Sequence, residues 1–167
     1  MMNFIRIITK RFYIIFLFIT SVLICLTGCN VYHSSQLIPF SREVISTSSA
    51  PEAIGPYSQA IKCGNMLFVS GQIGIDPDSG KIVEDGIEAE TRQVINNLQF
   101  ILEAAGFSLA DVVQVQVFLA DINEYNQMNK VYASFFRDSP PARATIQATR
   151  IPKDARIEIS LIAVKAP

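Results

Sequence analysis

The order of periodicities along the 167 residues predicts an α+β domain of two layers, a mixed sheet carrying two helices on one face. Three observations lead there. Residues 87–105 place Val94, Ile95, Leu98, Ile101, Leu102 and Ala105 at three- and four-residue spacing, one apolar helix face. A second such stripe runs through Tyr125, Met128, Val131, Tyr132, Phe135 and Phe136. Strand-like runs lie before, between and after the two. The last run is apolar on both sides, with Ile157, Ile159, Leu161 and Ala163 turned one way and Ile162 and Val164 the other. Two helices cover only one sheet face, so the other calls for a partner subunit.

The elements follow in order. Residues 43–47 alternate weakly and suit a first strand, and 49–56, with Pro51 and Pro56, are a loop. Residues 57–61 and 66–70 read as strands around the turn Cys63-Gly64-Asn65. Asp76-Pro77-Asp78-Ser79-Gly80 is a turn in which Gly80 accepts positive φ. The first helix carries Glu88 and Glu90 in its first turn, where the dipole favours acids, and Gly106 stops it. Val113, Val115, Val117 and Leu119 alternate with Gln114, Gln116 and Phe118 in a half-buried strand. Asn123 is placed to cap the second helix, which is expected to reach Phe136. Residues 144–148 and 157–165 finish as strands, expected to pair as neighbours.

Half of the residues are hydrophobic, but the N-terminus inflates that figure. Residues 13–26 hold no charge and follow Arg6, Lys10 and Arg11; a bilayer span takes roughly 20 apolar residues. A basic region before a short apolar one is the pattern of a secretory signal. Leu26-Thr27-Gly28-Cys29 then looks like a lipoprotein cleavage box, with Cys29 the lipidated residue. The expected organisation is a lipoprotein-type signal peptide over 1–28, a tether over 29–41 and one domain over 42–167. A lipid anchor would face the protein to the periplasm or exterior; a cytoplasmic location is the alternative if the N-terminus is not used.

Without those three basic residues, the 14 Lys+Arg fall to 11 against 15 Asp+Glu, a net charge of −4. No basic stripe is present, which argues against a nucleic-acid partner. Cys25 and Cys29 lie in the leader region and Cys63 is alone, so there is no disulfide framework. The single histidine, His33, sits in the tether. That leaves no Cys/His cluster for a metal and no Ser-His pair in the domain for triad chemistry.

The richest stretch is the last: Pro140-Pro141-Ala142-Arg143-Ala144-Thr145, then Arg150-Ile151-Pro152-Lys153-Asp154, then Arg156-Ile157-Glu158-Ile159. Two prolines stiffen the approach to Arg143. If the two flanking strands are neighbours, Arg143 and Glu158 approach each other across a cleft. The guanidinium fork suits a bidentate carboxylate ligand, and a nearby glutamate suits a water or proton task. An opposite charge so close would keep Glu158 ionised. By residue type alone, Arg143 is a surface ion-pair arginine and Glu158 an exposed strand position. Likewise Tyr57 is a packing residue, Ser70 a strand end, and Asn129 a helix-surface polar group. Gly71 permits close backbone approach.

That stretch, Ala53-Ile54-Gly55-Pro56-Tyr57-Ser58-Gln59-Ala60, and Gly64-Asn65-Met66-Leu67-Phe68-Val69-Ser70-Gly71-Gln72-Ile73 closely resemble the RidA family of reactive-intermediate (enamine/imine) deaminases. The resemblance runs from about residue 46 to 164. It implies the chorismate-mutase-like fold, assembled as a homotrimer with clefts between subunits. It also implies hydrolysis of 2-imino or enamine acids, such as 2-iminobutanoate and 2-iminopropanoate, to 2-keto acids and ammonia, with no metal or organic cofactor. Arg143 would take the substrate carboxylate and Glu158 would hold the attacking water. Tyr57, Ser70 and Gly71 would line the cleft, with Asn129 beside it. Thr145 stands where many members have cysteine; the role implied there belongs to its backbone carbonyl, aimed at the substrate nitrogen. Ser160 stands where glutamate is frequent. The alternative is a trimer that binds keto acids without turnover, or acts as a chaperone. A ribonuclease, also claimed for relatives, fits the acidic chain poorly.

Overall fold

The computed structural model describes residues 41–166. The leader, Cys29, His33 and all but the last residue of the tether therefore lie outside the described residues. Six strands and two α-helices follow in the order β1 (Arg42–Ile45), β2 (Ala60–Cys63), β3 (Met66–Ile73), α1 (Gly86–Ala104), β4 (Val112–Leu119), α2 (Tyr125–Phe135), β5 (Ala142–Gln147) and β6 (Ile157–Val164). One mixed sheet has the order β1-β2-β3-β6-β4-β5. Among the described residues, no helix is long and apolar enough to cross a membrane.

Each helix is the crossover of a parallel strand pair. β4–α2–β5 is a direct βαβ unit, so β5 lies parallel to β4. β3–α1–β4 is a split unit, with β6 inserted antiparallel to both strands. β5 and β6 are therefore not neighbours, contrary to expectation: β4 separates them. The helical connection commits β5 to one side of β4, and residues 148–156 carry the chain back to the other.

The core lies between the sheet and the helices. Leu67, Val115, Val117, Leu119, Ile157 and Ile159 meet Val94, Ile95, Leu98, Ile101, Leu102 and Met128, all 1% exposed or less. Burying one such side chain stabilises by about 1.5–3 kcal/mol. β6 alternates strictly, with Ile157, Ile159, Leu161 and Ala163 buried and the intervening residues half-buried. The far sheet face keeps Met66, Phe68, Val113 and Ile146 exposed. The sheet is thus apolar on both faces, and the described residues cover one.

Local chemistry explains where the elements depart from expectation. β1 stops at Ile45 because the Thr47 N–H donates to Gln59 Oε1 at 2.7 Å instead of continuing the ladder. β2 begins at Ala60, not at residue 57, because Tyr57 N–H donates to Gly55 O at 2.8 Å in a turn. A bulge between Val112 and Gln114 puts Val113 on the exposed side and Val112 in the core, breaking the expected alternation. Asn123 does not cap α2. Asp121 accepts from the Asn123 N–H at 2.9 Å and opens a 3-10 turn, Ile122–Glu124, from which the helix starts at Tyr125. The turn at Gly80 (φ +68°) and the stop at Gly106 (φ +77°) are as expected, with Phe107 N–H donating to Leu102 O.

Candidate functional site

Two partial sites stand apart in the chain. The first is a cleft of about 340 Å³ at the end of β3, lined by the loop around Ile54 and Tyr57, by Ser70, Gly71 and Ile73, and by Glu158. A register shift between Val69 and Gln72 swings Ser70 and Gly71 towards it. Gly71 leaves room there for the Glu158 carboxylate: a Cβ would lie 2.8 Å from its Cδ and 3.0 Å from its Cγ, so the carboxylate would have to move. Ser70 Oγ donates to Ser58 O at 2.7 Å, so its proton is committed and its oxygen can still accept. Tyr57 Oη accepts from the Ile54 N–H at 3.3 Å, which leaves the phenol proton to donate into the cleft. Gln59 holds the loop that carries Tyr57. It is buried, accepts from Thr47 N–H, and donates to the carbonyls of Thr47, Ala50 and Pro51.

Burial pushes the Glu158 carboxyl above its ordinary 4.5. The expectation that Arg143 would hold it ionised is not met within the chain. Arg143 pairs with Val115, on the helix-covered face, while Glu158 pairs with Phe118, on the other face. With β4 between their strands and the sheet between their side chains, the two cannot share one cleft of a single chain.

The second partial site surrounds Arg143 at the edge strand β5. Its Nη2 donates to Asn129 Oδ1 at 2.8 Å and to Tyr125 Oη at 3.0 Å. The guanidinium carbon lies 4.4 Å from the Tyr132 ring centre and 5.6 Å from that of Tyr125. Among the described residues no acid lies within salt-bridge distance of Arg143. The surface ion-pair reading therefore fails, and Nε and Nη1, which make no hydrogen bond among the described residues, are left as donors for a ligand carboxylate. Burial pushes the Tyr132 hydroxyl up to about 12, so it stays neutral beside the cation. Tyr132 Oη and Thr145 Oγ1 are buried without a hydrogen-bond partner among the described residues.

Thr145 turns its side chain towards the helices, level with Val117. Ala148 N–H donates to Leu119 O. By the alternation of a parallel ladder, the N–H and C=O of Thr145 then face the open sheet edge. Asn129, Tyr125 and Tyr132 are spaced i, i+4 and i+7 from residue 125, one stripe of α2. Sequence reasoning placed the two tyrosines on the buried side, where Tyr132 lies in the core and Tyr125 packs against it; the asparagine inside their stripe was the available signal that this face also holds a cation. Gln59 was likewise legible only as part of a motif. No group of three or more potential ligands that could hold a metal occurs among the described residues.

The profile of the family described as "Endoribonuclease L-PSP" matches residues 47–165. A RutC family protein of Pyrococcus horikoshii is 56% identical over 124 residues, 74% of this chain and 98% of that one. The human 2-iminobutanoate/2-iminopropanoate deaminase is 47% identical over 126 residues, 75% of this chain and 92% of that one. Among solved structures, Escherichia coli TdcF with bound serine is 39% identical, with a TM-score of 0.72, covering 74% of this chain and 99% of that one. With the fold, the motifs and these similarities in agreement, the chain belongs to the endoribonuclease L-PSP family, to which the RutC and RidA names also attach.

Proposed function

We propose that the protein hydrolyses short 2-imino and enamine acids to 2-keto acids and ammonia, in clefts between the subunits of a homotrimer. The observation that carries this is the division of the site. One face offers an arginine without a counter-ion, and the other a half-buried glutamate in a cleft, each without its complement. Packing the exposed apolar face of one chain against another would join the Arg143 half of one subunit to the Glu158 half of the next. The similarity to a deaminase at 47% identity supports the reaction class, and the serine-bound relative supports a ligand bearing a carboxylate.

The steps follow from the groups. Arg143 fixes the substrate carboxylate through its charge and its free Nε and Nη1 donors. The Thr145 carbonyl accepts from the imine N–H. Glu158, ionised, takes a proton from water as the oxygen adds to the C=N carbon, and returns it to the nitrogen. The carbinolamine collapses to the keto acid and ammonia. Imines hydrolyse unaided, so holding water and imine together supplies much of the acceleration.

The test is complementation. Arg143→Ala and Glu158→Gln are each expected to be inactive in a coupled threonine-dehydratase assay of ammonia release. Co-expressed, they should regain activity, because each mixed trimer contains an interface that joins an intact arginine to an intact glutamate. Two inactive variants whose mixture stays inactive would overturn the shared cleft. A parent chain that binds 2-oxobutanoate without turnover would favour the binding-only alternative.

Since the side chain of Thr145 faces the helices, Thr145→Cys is expected to stay within about twofold of the parental kcat/KM, the backbone carbonyl being unchanged. A large gain in the same assay would mean that the side chain takes part. We further propose that Cys29 is a lipidated N-terminus, placing the domain at a membrane surface facing the periplasm or exterior. Mass spectrometry of the mature protein is expected to show a chain starting at an acylated Cys29; an unmodified Met1 start would refute it.

A further inference from the structure

Glu158 is the one proposed catalytic side chain that no hydrogen bond within the chain's described residues holds in place. Its position depends on the path of β6, which starts one residue after Arg156. Arg156 C=O accepts from Ala120 N–H at 2.9 Å, but its own N–H goes to a side chain, Glu90 Oε2, at 2.8 Å. Glu90 is 4% exposed on α1, and its Cβ and Cγ fill the space that a side chain at Gly74 would take. So two glycines, one in β3 and one just after it, make room for glutamates: Gly71 for the Glu158 carboxylate and Gly74 for the stem of Glu90. Just before Arg156, Lys153 and Asp154 both hold left-handed backbone, at φ 58° and 57°. Such conformations persist only where their surroundings enforce them. The sequence reading assigned Glu90 to the helix dipole; its carboxylate instead holds the entry of the catalytic strand.

We propose that Glu90 is a positioning residue for the imine-hydrolysing site, fixing Glu158 by holding the Arg156 N–H. This rests on the function proposed above. Glu90 also faces the Arg156 guanidinium at 3.7 Å, and that guanidinium pairs with Glu124 just before α2. Neither its hydrogen bond nor its salt bridge is with Tyr125, Asn129 or Tyr132, which hold Arg143. Loss of Glu90 should therefore affect turnover and spare carboxylate binding.

The decisive comparison is among Glu90→Met, Glu90→Ala and Glu90→Gln. Met keeps the bulk against Gly74 without an acceptor, Ala removes both, and Gln keeps an acceptor for Arg156. Met and Ala are expected to lower kcat by about tenfold or more. Their Kd for 2-oxobutanoate should stay within about twofold of the parent, since the carboxylate fork is intact. Gln should recover most of the turnover. Parental kcat in Met and Ala, or equal losses of kcat and affinity, would overturn the proposal. Should the parent chain show no imine hydrolysis, the deaminase reading fails on its own, and a readout without turnover decides this one. In ¹³C-glutamate-labelled protein, the Glu158 carboxyl titration should move towards the ordinary range in Glu90→Met and stay in place in Glu90→Gln. An unmoved Glu158 titration in Glu90→Met would sink the positioning role.

Discussion

Arg143→Ala is expected to lose nearly all imine hydrolysis while leaving a folded protein. The Nε and Nη1 donors left free on the guanidinium can make two charge-assisted hydrogen bonds to ligand oxygens, each contributing about 1.5–3 kcal/mol. Their loss corresponds to about two to four decades in kcat/KM. The fold should survive because Arg143 lies on an edge strand, and its partners Asn129 and Tyr125 are only partly buried. Arg143→Lys should also largely fail: an ammonium keeps the charge but not the fork, and it stacks less well between two tyrosine rings. The measurements are ammonia release with 2-iminopropanoate and far-UV circular dichroism. Parental activity in a folded Arg143→Ala protein would remove the carboxylate anchor from the mechanism.

Gly71→Ala is expected to be the second severe lesion, by a different route. The added methyl would occupy the place of the Glu158 carboxylate, whose flexible end can rotate away. The backbone at Gly71 needs no positive φ, so alanine is tolerated by the strand and the protein should fold. Glu158 would no longer meet water in the cleft. A displacement of this size is expected to lower kcat by about a hundredfold, with affinity for 2-oxobutanoate retained. The same carboxylate sets the pH profile of the parent. Glu158 must be ionised to accept a proton, and burial raises its folded pKa above 4.5. Activity should therefore be present above that raised value and fall as pH drops through it, earlier than an exposed glutamate would dictate. A kcat profile flat through that region would show that another group takes the proton. Parental kcat in Gly71→Ala would show that Glu158 need not sit where the structure places it.

The sequence by itself determined whatever depends on near neighbours along the chain. The α1 stripe from Val94 to Leu102, the stop at Gly106, the Asp76–Gly80 turn and the alternation of β6 follow from helix and strand periods and from residues that accept positive φ. The apolar character of the second sheet face was readable too, from Ile162 and Val164. The motifs around Tyr57, Ser70, Gly71, Arg143 and Glu158 named the candidate site residues.

Only the tertiary structure decided how those residues divide. Strand order is non-local: the crossover through α2 sets β5 beside β4, and β6 enters between β3 and β4. That order puts β4 between Arg143 and Glu158, and the register sets them on opposite faces of one sheet, so the chain holds two separate clusters in place of one cleft. Non-local packing also gave Glu90 its partner. The residue reads as a first-turn acid on an amphipathic helix, and only the approach of α1 to Gly74 brings its carboxylate to the Arg156 amide, 66 positions away in sequence. Periodicity shows which side of an element is buried; which buried groups meet depends on the order in which elements pack, and no local period encodes that.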